Sequence, residues 1–242
     1  MASQLRRLYP EPAVATTPGD AYVAPRPPRS GDAGPRPWVS LCMIASLDGA
    51  VVVDGRSGPL GNTTDREVLL SLRELADVVL VGAGTARGEG YGPPRNRGLR
   101  VGVVTNSGAV DLSSGLFSSG AGFLIAPEAV DLDTGSVDVL RAGNHRVDLA
   151  LALARLGSVV QGVRVVQAEG GPTLNAGLLE ADAVDELNLT ISPRMAGGDS
   201  PRVVRGAPAV DARFRLAHLL ADEDGFLFGR WVRARESVTA GA

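Results

Sequence analysis

The chain has no lysine: all 24 of its basic residues are arginines. That removes Schiff-base catalysis and the phosphate-loop lysine from the chemistry to be considered. Its one cysteine, Cys42, excludes an intrachain disulfide and suits a reducing compartment. With only two histidines, His145 and His218, a zinc site of the usual nitrogen and sulfur type is not expected, and no metal is assigned. No apolar run reaches the roughly 18 residues of a membrane span. Arg6-Arg7 has no apolar stretch behind it that would read as a secretory leader. The expectation is a cytoplasmic protein without membrane contact. A net charge of -3 argues against a nucleic-acid partner, which would call for a basic surplus.

What is present is ordinary globular composition, 44% hydrophobic and 21% charged, in 242 residues, enough for one sizeable core. Residues 1–37 hold eight of the 16 prolines, so an extended or disordered arm is expected, with Leu5, Leu8, Tyr9 and Tyr22 as possible anchors. The main domain is expected over 38–232, with a tail over 233–242. It opens on Trp38–Ala45, apolar enough for a central strand buried on both faces. Thr63 or Thr64 can cap a helix from Asp65 to about Ala76. Strands are expected at Val78–Val81, Val101–Thr105, Phe123–Ile125 and Val137–Leu140, and a helix over Leu149–Val160. Asp185–Ile191 alternates polar and apolar residues as a half-exposed strand does. Arg213–Ala221 and Phe226–Val232 flank the turn Asp222-Glu-Asp-Gly225 and read as a hairpin. The class is α/β, with a mixed, mostly parallel sheet flanked by helices and an antiparallel C-terminal hairpin.

Between these segments lie two glycine-rich strand ends. Val163–Ala168 is an apolar run that ends in Glu169-Gly-Gly171, and Pro172 then opens a helical segment. A strand, a glycine turn and a helix start present free N–H groups and a positive dipole end to an anion. Gly82-Ala-Gly-Thr-Ala-Arg-Gly88 is the second. It fails the dinucleotide fingerprint, because the third glycine would fall at Arg87 and no acid follows at the ribose-binding distance. Two such turns at the carboxyl edge of one sheet can nevertheless share a ligand.

Six motifs follow one another over roughly residues 38–232: Ser46-Leu-Asp-Gly49, Leu72-Arg73, Ala76-Asp77, Val81-Gly-Ala-Gly-Thr85, Glu169-Gly-Gly-Pro-Thr173, and Asp185-Glu-Leu187 with Ile191-Ser-Pro193. In this order they resemble the 5-amino-6-(5-phosphoribosylamino)uracil reductase family of riboflavin biosynthesis, which has the dihydrofolate reductase fold. The long N-terminal arm resembles stand-alone pyrimidine-reductase-like paralogues. The resemblance implies an NADPH-dependent homodimer acting on a phosphoribosylaminopyrimidine, with a dihydrofolate or pterin substrate as the alternative. A non-catalytic nucleotide-binding paralogue is the reading of another class.

By the same resemblance Gly82, Gly84 and Thr85 contact the cofactor. Gly170 and Gly171, joined by a cis peptide, receive its pyrophosphate beside Thr173, while Thr105, Asn106 and Ser107 lie at the adenosine end. Arg87, Arg95, Arg97 and Arg100 are candidates for the charge that reads a 2′-phosphate, or are a solvated loop surface. Asp65 matches a carboxylate that grips the substrate and assists protonation, which hydride delivery to a C=N bond requires. An Asp in a first helical turn equally serves the helix dipole, and both readings stand. Arg66, and less directly Arg73, match substrate-phosphate positions, and Glu169 matches a carboxylate near the substrate ribose or is a satisfied acceptor at a helix start. Asp48 is a substrate-side candidate or a structural turn residue. The pattern departs from the bifunctional bacterial enzymes at Cys42, where they have lysine, and at Glu89-Gly-Tyr91, where they have Asp-Asp-Pro. Cys42 reads as a small buried hydrophobe.

Overall fold

A computed structural model describes residues 3–31 and 34–234; of the expected tail, 235–242 lie outside the described residues. The arm begins with β1 (Leu5–Tyr9), β2 (Ala13–Thr16) and a single turn α1 (Pro18–Ala21), followed by a small ribbon of β3 (Arg29–Gly31) and β4 (Gly34–Arg36). The main body then runs β5 (Trp38–Ala45), α2 (Thr63–Glu74), β6 (Val78–Gly82), α3 (Ala83–Gly88), β7 (Arg100–Val104), α4 (Gly115–Ser118), β8 (Gly122–Ala126) and β9 (Val139–Arg141). It continues with α5 (Leu149–Arg155), β10 (Val165–Ala168), α6 (Pro172–Glu180), β11 (Glu186–Ile191), β12 (Phe214–Ala221) and β13 (Leu227–Arg233).

Eleven strands form one sheet in the order β2-β1-β12-β13-β11-β5-β10-β6-β7-β8-β9. From β11 to β9 every neighbour is parallel; from β11 through β13, β12, β1 and β2 every neighbour is antiparallel. The late strand β10 inserts between β5 and β6, so the carboxyl ends of β5, β6, β7 and β10 meet along one edge. In an open α/β sheet that edge is where ligands collect.

Local chemistry accounts for the elements around that edge. Asn62, not Thr63 or Thr64, caps α2: its side chain accepts from Asp65 N at 2.9 Å. Val68 and Leu72 form the buried stripe of α2, each stabilising the fold by about 1.5–3 kcal/mol relative to exposure. Pro172 occupies the first turn of α6, where its missing N–H costs nothing.

The proline-rich arm is an ordered part of the sheet. β1 pairs with β12, and Leu5 and Tyr22 are each 1% exposed, packed with Leu60, Val68, Leu72, Phe226 and Phe228 behind α2. Tyr9, by contrast, is on the surface. The strand Glu186–Ile191 alternates as expected but with the faces exchanged. Glu186, Asn188 and Thr190 are buried, and Leu187, Leu189 and Ile191 are half-exposed. Arg26 of the arm and Arg230 of β13 supply the reason, since both donate to the Glu186 carboxylate (2.7 and 2.8 Å). Among the described residues no helix is long and apolar enough to cross a membrane, and no group of three or more His, Cys, Asp or Glu could hold a metal ion.

Candidate active site

The two glycine turns touch. Gly82 N donates to Gly170 O at 2.7 Å, and Glu169 N extends the ladder to Leu80 O at 2.9 Å. The Gly170–Gly171 peptide is cis, as the sequence resemblance implies. A side chain has no room here: a Cβ at Gly171 would lie 2.6 Å from Thr85 Oγ1, and one at Gly170, whose φ is +80°, would lie 3.1 Å from Met43 Sδ. Only glycine lets the strand end, α3 and α6 close to this distance.

On one side of the paired turns runs an open groove of about 660 Å³. Gly82, Gly84, Thr105, Asn106, Ser107 and Thr173 all line it, so six of the proposed cofactor residues share one surface. The groove meets the conditions for a dinucleotide: glycine backbone, hydroxyls and a helix start, with no side chain projecting from the turn. Part of the expected polar set is nevertheless committed to shaping the loop. Thr105 Oγ1 accepts from Gly108 N at 3.0 Å, and Asn106 Oδ1 accepts from Val147 N at 2.8 Å. Asn106 thereby joins the β7 loop to the segment before α5, and that segment brings Arg146 into the groove. Arg146 carries no motif that marks it for this groove. The only signal was Asp148, an N-cap placing the preceding loop at a helix start. Of the arginines considered instead, Arg100 is held by Asp138 and the Ala121 carbonyl, and Arg87 lines a different, smaller pocket behind α3.

On the other side lies a cavity of about 230 Å³. Gly84 lines both the cavity and the groove, with Thr85 and Gly171 next to it on the cavity side; Cys42, Asp65, Glu89, Tyr91 and Glu169 supply the cavity's polar chemistry; Ile44, Val51, Val52 and Leu69 supply its apolar wall. Asp65 stands near the N-terminus of α2, and burial raises its carboxyl pKa against an opposing hydrogen bond from Thr190. Cys42 is half-buried in the wall rather than fully enclosed, and its thiol is pushed up by burial and then by the Glu169 and Asp65 carboxylates. Glu89 accepts from Ser57 N at 2.7 Å, which fastens the loop after β5 over the cavity.

Glu169 is the most heavily bonded group of the site. Arg73 grips both of its oxygens (Nε to Oε1 2.7 Å, Nη2 to Oε2 2.6 Å), Tyr91 OH donates to Oε2 at 2.6 Å, and Gln167 Nε2 donates to Oε1 at 2.7 Å. Arg73 also stacks over the Tyr91 ring, 5.5 Å from its centroid. Tyr91 belongs to the segment Glu89-Gly-Tyr91 that departs from the bifunctional pattern, whereas Gln167 carries no sequence signal for this role.

Two expected substrate residues are placed elsewhere. Arg66 lies exposed on α2 and is not part of the cavity lining, although it is seven residues from Arg73. Asp48 is exposed and tied into a turn. Ser46 OH and the backbone N–H groups of Ala196 and Gly197 donate to it and hold its pKa down at about 2. That geometry agrees with the structural reading of Asp48.

The match of residues 37–228 to the family model described as the RibD C-terminal domain decides the family. The chain belongs to the RibD C-terminal domain family. Among its relatives is the 2,5-diamino-6-ribosylamino-4(3H)-pyrimidinone 5′-phosphate reductase of Archaeoglobus fulgidus, 31% identical over 195 residues, covering 71% of this chain and 87% of that protein. Another is the reductase of the same name from Methanothermobacter thermautotrophicus, 28% identical over 190 residues, covering 73% and 87%. A pyrimidine reductase-like protein from Corynebacterium diphtheriae superposes with a TM-score of 0.73 at 27% identity, covering 83% of this chain and 93% of that one. The yeast riboflavin biosynthesis reductase Rib7 shares the fold, with a TM-score of 0.65 at 22% identity, covering 82% and 90%. Residues 3–31 of the arm lie outside the region that the family model matches.

Proposed function

We propose that this RibD C-terminal domain family member is an NADPH-dependent pyrimidine reductase of the riboflavin-biosynthesis type, acting on a phosphoribosylaminopyrimidine. The observation that carries the reading is the pair of glycine turns, with an open groove and an acid-lined cavity that share Gly84 and continue into each other along the chain at Gly171–Thr173. A dinucleotide lying along the groove and a small polar substrate in the cavity would meet at that boundary. The names borne by the archaeal relatives supply the substrate class.

A dihydronicotinamide, when bound, supplies a hydride; the residues of this chain supply position and a proton. Gly82, Gly170 and Gly171 let the backbone come close enough to seat a pyrophosphate, and Thr85 and Thr173 offer hydroxyls beside it. Thr105, Asn106, Ser107 and Arg146 would hold the adenosine end, with Arg146 providing the charge that favours a 2′-phosphate. In the cavity, Asp65 is the proton source. Burial keeps its carboxyl protonated to higher pH than an exposed Asp, as donation to the nitrogen of a reduced C=N bond demands. Glu169, fixed by Arg73, orients the sugar end of the substrate. The half-exposed row Leu187, Leu189 and Ile191, with exposed Leu47 and Val210 lining the same surface as Leu189 and Ile191, supports a homodimer formed through this face.

The test is a side-by-side screen of the purified protein with NADPH against 2,5-diamino-6-ribosylamino-4(3H)-pyrimidinone 5′-phosphate, 5-amino-6-(5-phosphoribosylamino)uracil, dihydrofolate and dihydropterin. Turnover is followed at the reduced-nicotinamide absorbance. Turnover of a phosphoribosylaminopyrimidine is expected. Turnover of dihydrofolate or dihydropterin alone would replace the proposed substrate. NADPH binding without any turnover would favour a non-catalytic nucleotide-binding protein, and no binding of NADPH or NADH would refute the reading.

A further inference from the structure

An ionised carboxylate offers about four acceptor directions, and those of Glu169 are filled by Arg73 Nε, Arg73 Nη2, Tyr91 OH and Gln167 Nε2. A substrate hydroxyl or amine therefore finds no vacant lone pair on Glu169. Of the three donor residues only Tyr91 also lines the cavity; Arg73 and Gln167 reach Glu169 without lining it. The single phenolic proton of Tyr91 is committed to Glu169, so what its oxygen has left to offer is acceptor capacity. Burial, and then Glu169, push the phenol pKa well above its ordinary value, which keeps that proton in place over the whole working range. A phenol donating to a carboxylate that Arg73 holds by two hydrogen bonds is polarised, and polarisation makes its oxygen a better acceptor.

We infer that Tyr91 is a specificity-determining residue whose phenol oxygen takes a hydroxyl or amino proton of the substrate, in place of direct contact between that group and Glu169. The inference rests on the reductase reading above and deepens it. It also gives a role to a segment, Glu89-Gly-Tyr91, that departs from the bifunctional pattern. Glu89 and Tyr91 both line the cavity, one fastening the loop after β5 and the other closing the network on Glu169.

The experiment compares wild type with Tyr91→Phe, which keeps the ring under Arg73 and deletes only the oxygen. Steady-state rates are measured with 2,5-diamino-6-ribosylamino-4(3H)-pyrimidinone 5′-phosphate, and dissociation constants for that compound and for NADPH are measured by calorimetry. The expected result is a KM and substrate dissociation constant raised roughly tenfold, as for one lost hydrogen bond, with kcat within about twofold and NADPH affinity unchanged. An unchanged KM and substrate affinity would overturn the inference. So would NADPH binding weakened as much as substrate binding, since that would mean that Tyr91 merely packs the site. If wild type binds the compound but turns over neither it nor 5-amino-6-(5-phosphoribosylamino)uracil, the reductase reading fails while the calorimetric comparison still tests Tyr91. If wild type binds neither compound, both fall.

Discussion

His218 sits on β12 behind the arm, 8% exposed, with its Nε2 buried and without a hydrogen-bond partner. The Tyr22 ring meets it edge-on at 4.8 Å. Burial lowers its pKa to about 4 from an ordinary 6.5, and the Arg230 guanidinium adds to the effect. Arg26 and Arg7 of the arm push in the same direction and Glu186 opposes them. The folded state therefore keeps His218 neutral over a range in which the unfolded chain takes up a proton. Stability rises with pH wherever the unfolded state binds more protons. The contribution of His218 is accordingly full above pH 6.5 and is lost as the pH falls from 6.5 to about 4. A shift of that size corresponds to about 3 kcal/mol by the time pH 4 is reached, at about 1.36 kcal/mol per pKa unit.

Glu186 works in a lower window. Despite its burial, Arg230 and Arg26 hold its pKa at about 2, below an ordinary 4.5, so its contribution is lost only as the pH falls through that range. The two windows barely overlap, which makes the histidine measurable by itself. Urea unfolding of wild type and His218→Phe at intervals from pH 7.5 to 4, followed by circular dichroism, should show wild type losing about 3 kcal/mol of stability relative to the variant as the pH falls. Phe keeps a ring against Tyr22 and removes the titration. Parallel stability curves, with a constant gap between pH 7.5 and 4, would refute the assignment of acid lability to this ring.

Three further outcomes test the site. Asp65→Asn should lower kcat by about 10²–10⁴-fold. Because burial raises the Asp65 pKa, its ionised form burdens the folded state above that pKa, and the variant should melt a few degrees higher at neutral pH by calorimetry. Gly171→Ala places a Cβ 2.6 Å from Thr85 Oγ1; it should weaken NADPH binding by about tenfold or more in a fluorescence titration, and unchanged affinity would remove the turn from the cofactor site. Arg146→Ala should reduce NADPH affinity about tenfold and leave NADH affinity unaltered, the difference being one charge-assisted contact to phosphate.

The parallel body was legible because its signals are local. Trp38–Ala45 is predicted and found to the residue, and the two glycine turns mark strand ends whose geometry follows from having no Cβ. The groove was legible for the same reason, since its residues sit immediately after β6, β7 and β10. What escaped was decided by distant partners. Nothing near Arg146 in sequence shows that Asn106 will draw its loop across the sheet edge. Arg66 and Arg73 share a helix face, yet one turns to solvent and the other to Glu169, a choice made by a residue 96 positions away from Arg73.

The arm is the clearest case of that limit. Proline density pointed to an extended or disordered arm over residues 1–37, yet β1 is an interior strand paired with β2 on one side and β12 on the other, and composition cannot show that β12 presents an antiparallel edge for Leu5–Tyr9 to join. The polar row on β11 is the other half of the same problem. Glu186 is 0% exposed, a position that is untenable for a lone carboxylate and stable once Arg26 and Arg230 close on it. Asp185, equally buried, is gripped in the same way by Arg36 at the end of the arm. Two carboxylates in the body and three arginines in the arm, Arg26, Arg29 and Arg36, thus account for each other. The apolar face of β11 is thereby left for the outside, the face proposed to meet a second copy. Although the family pattern begins at residue 37, the burial of Glu186 and Asp185 depends on residues before it.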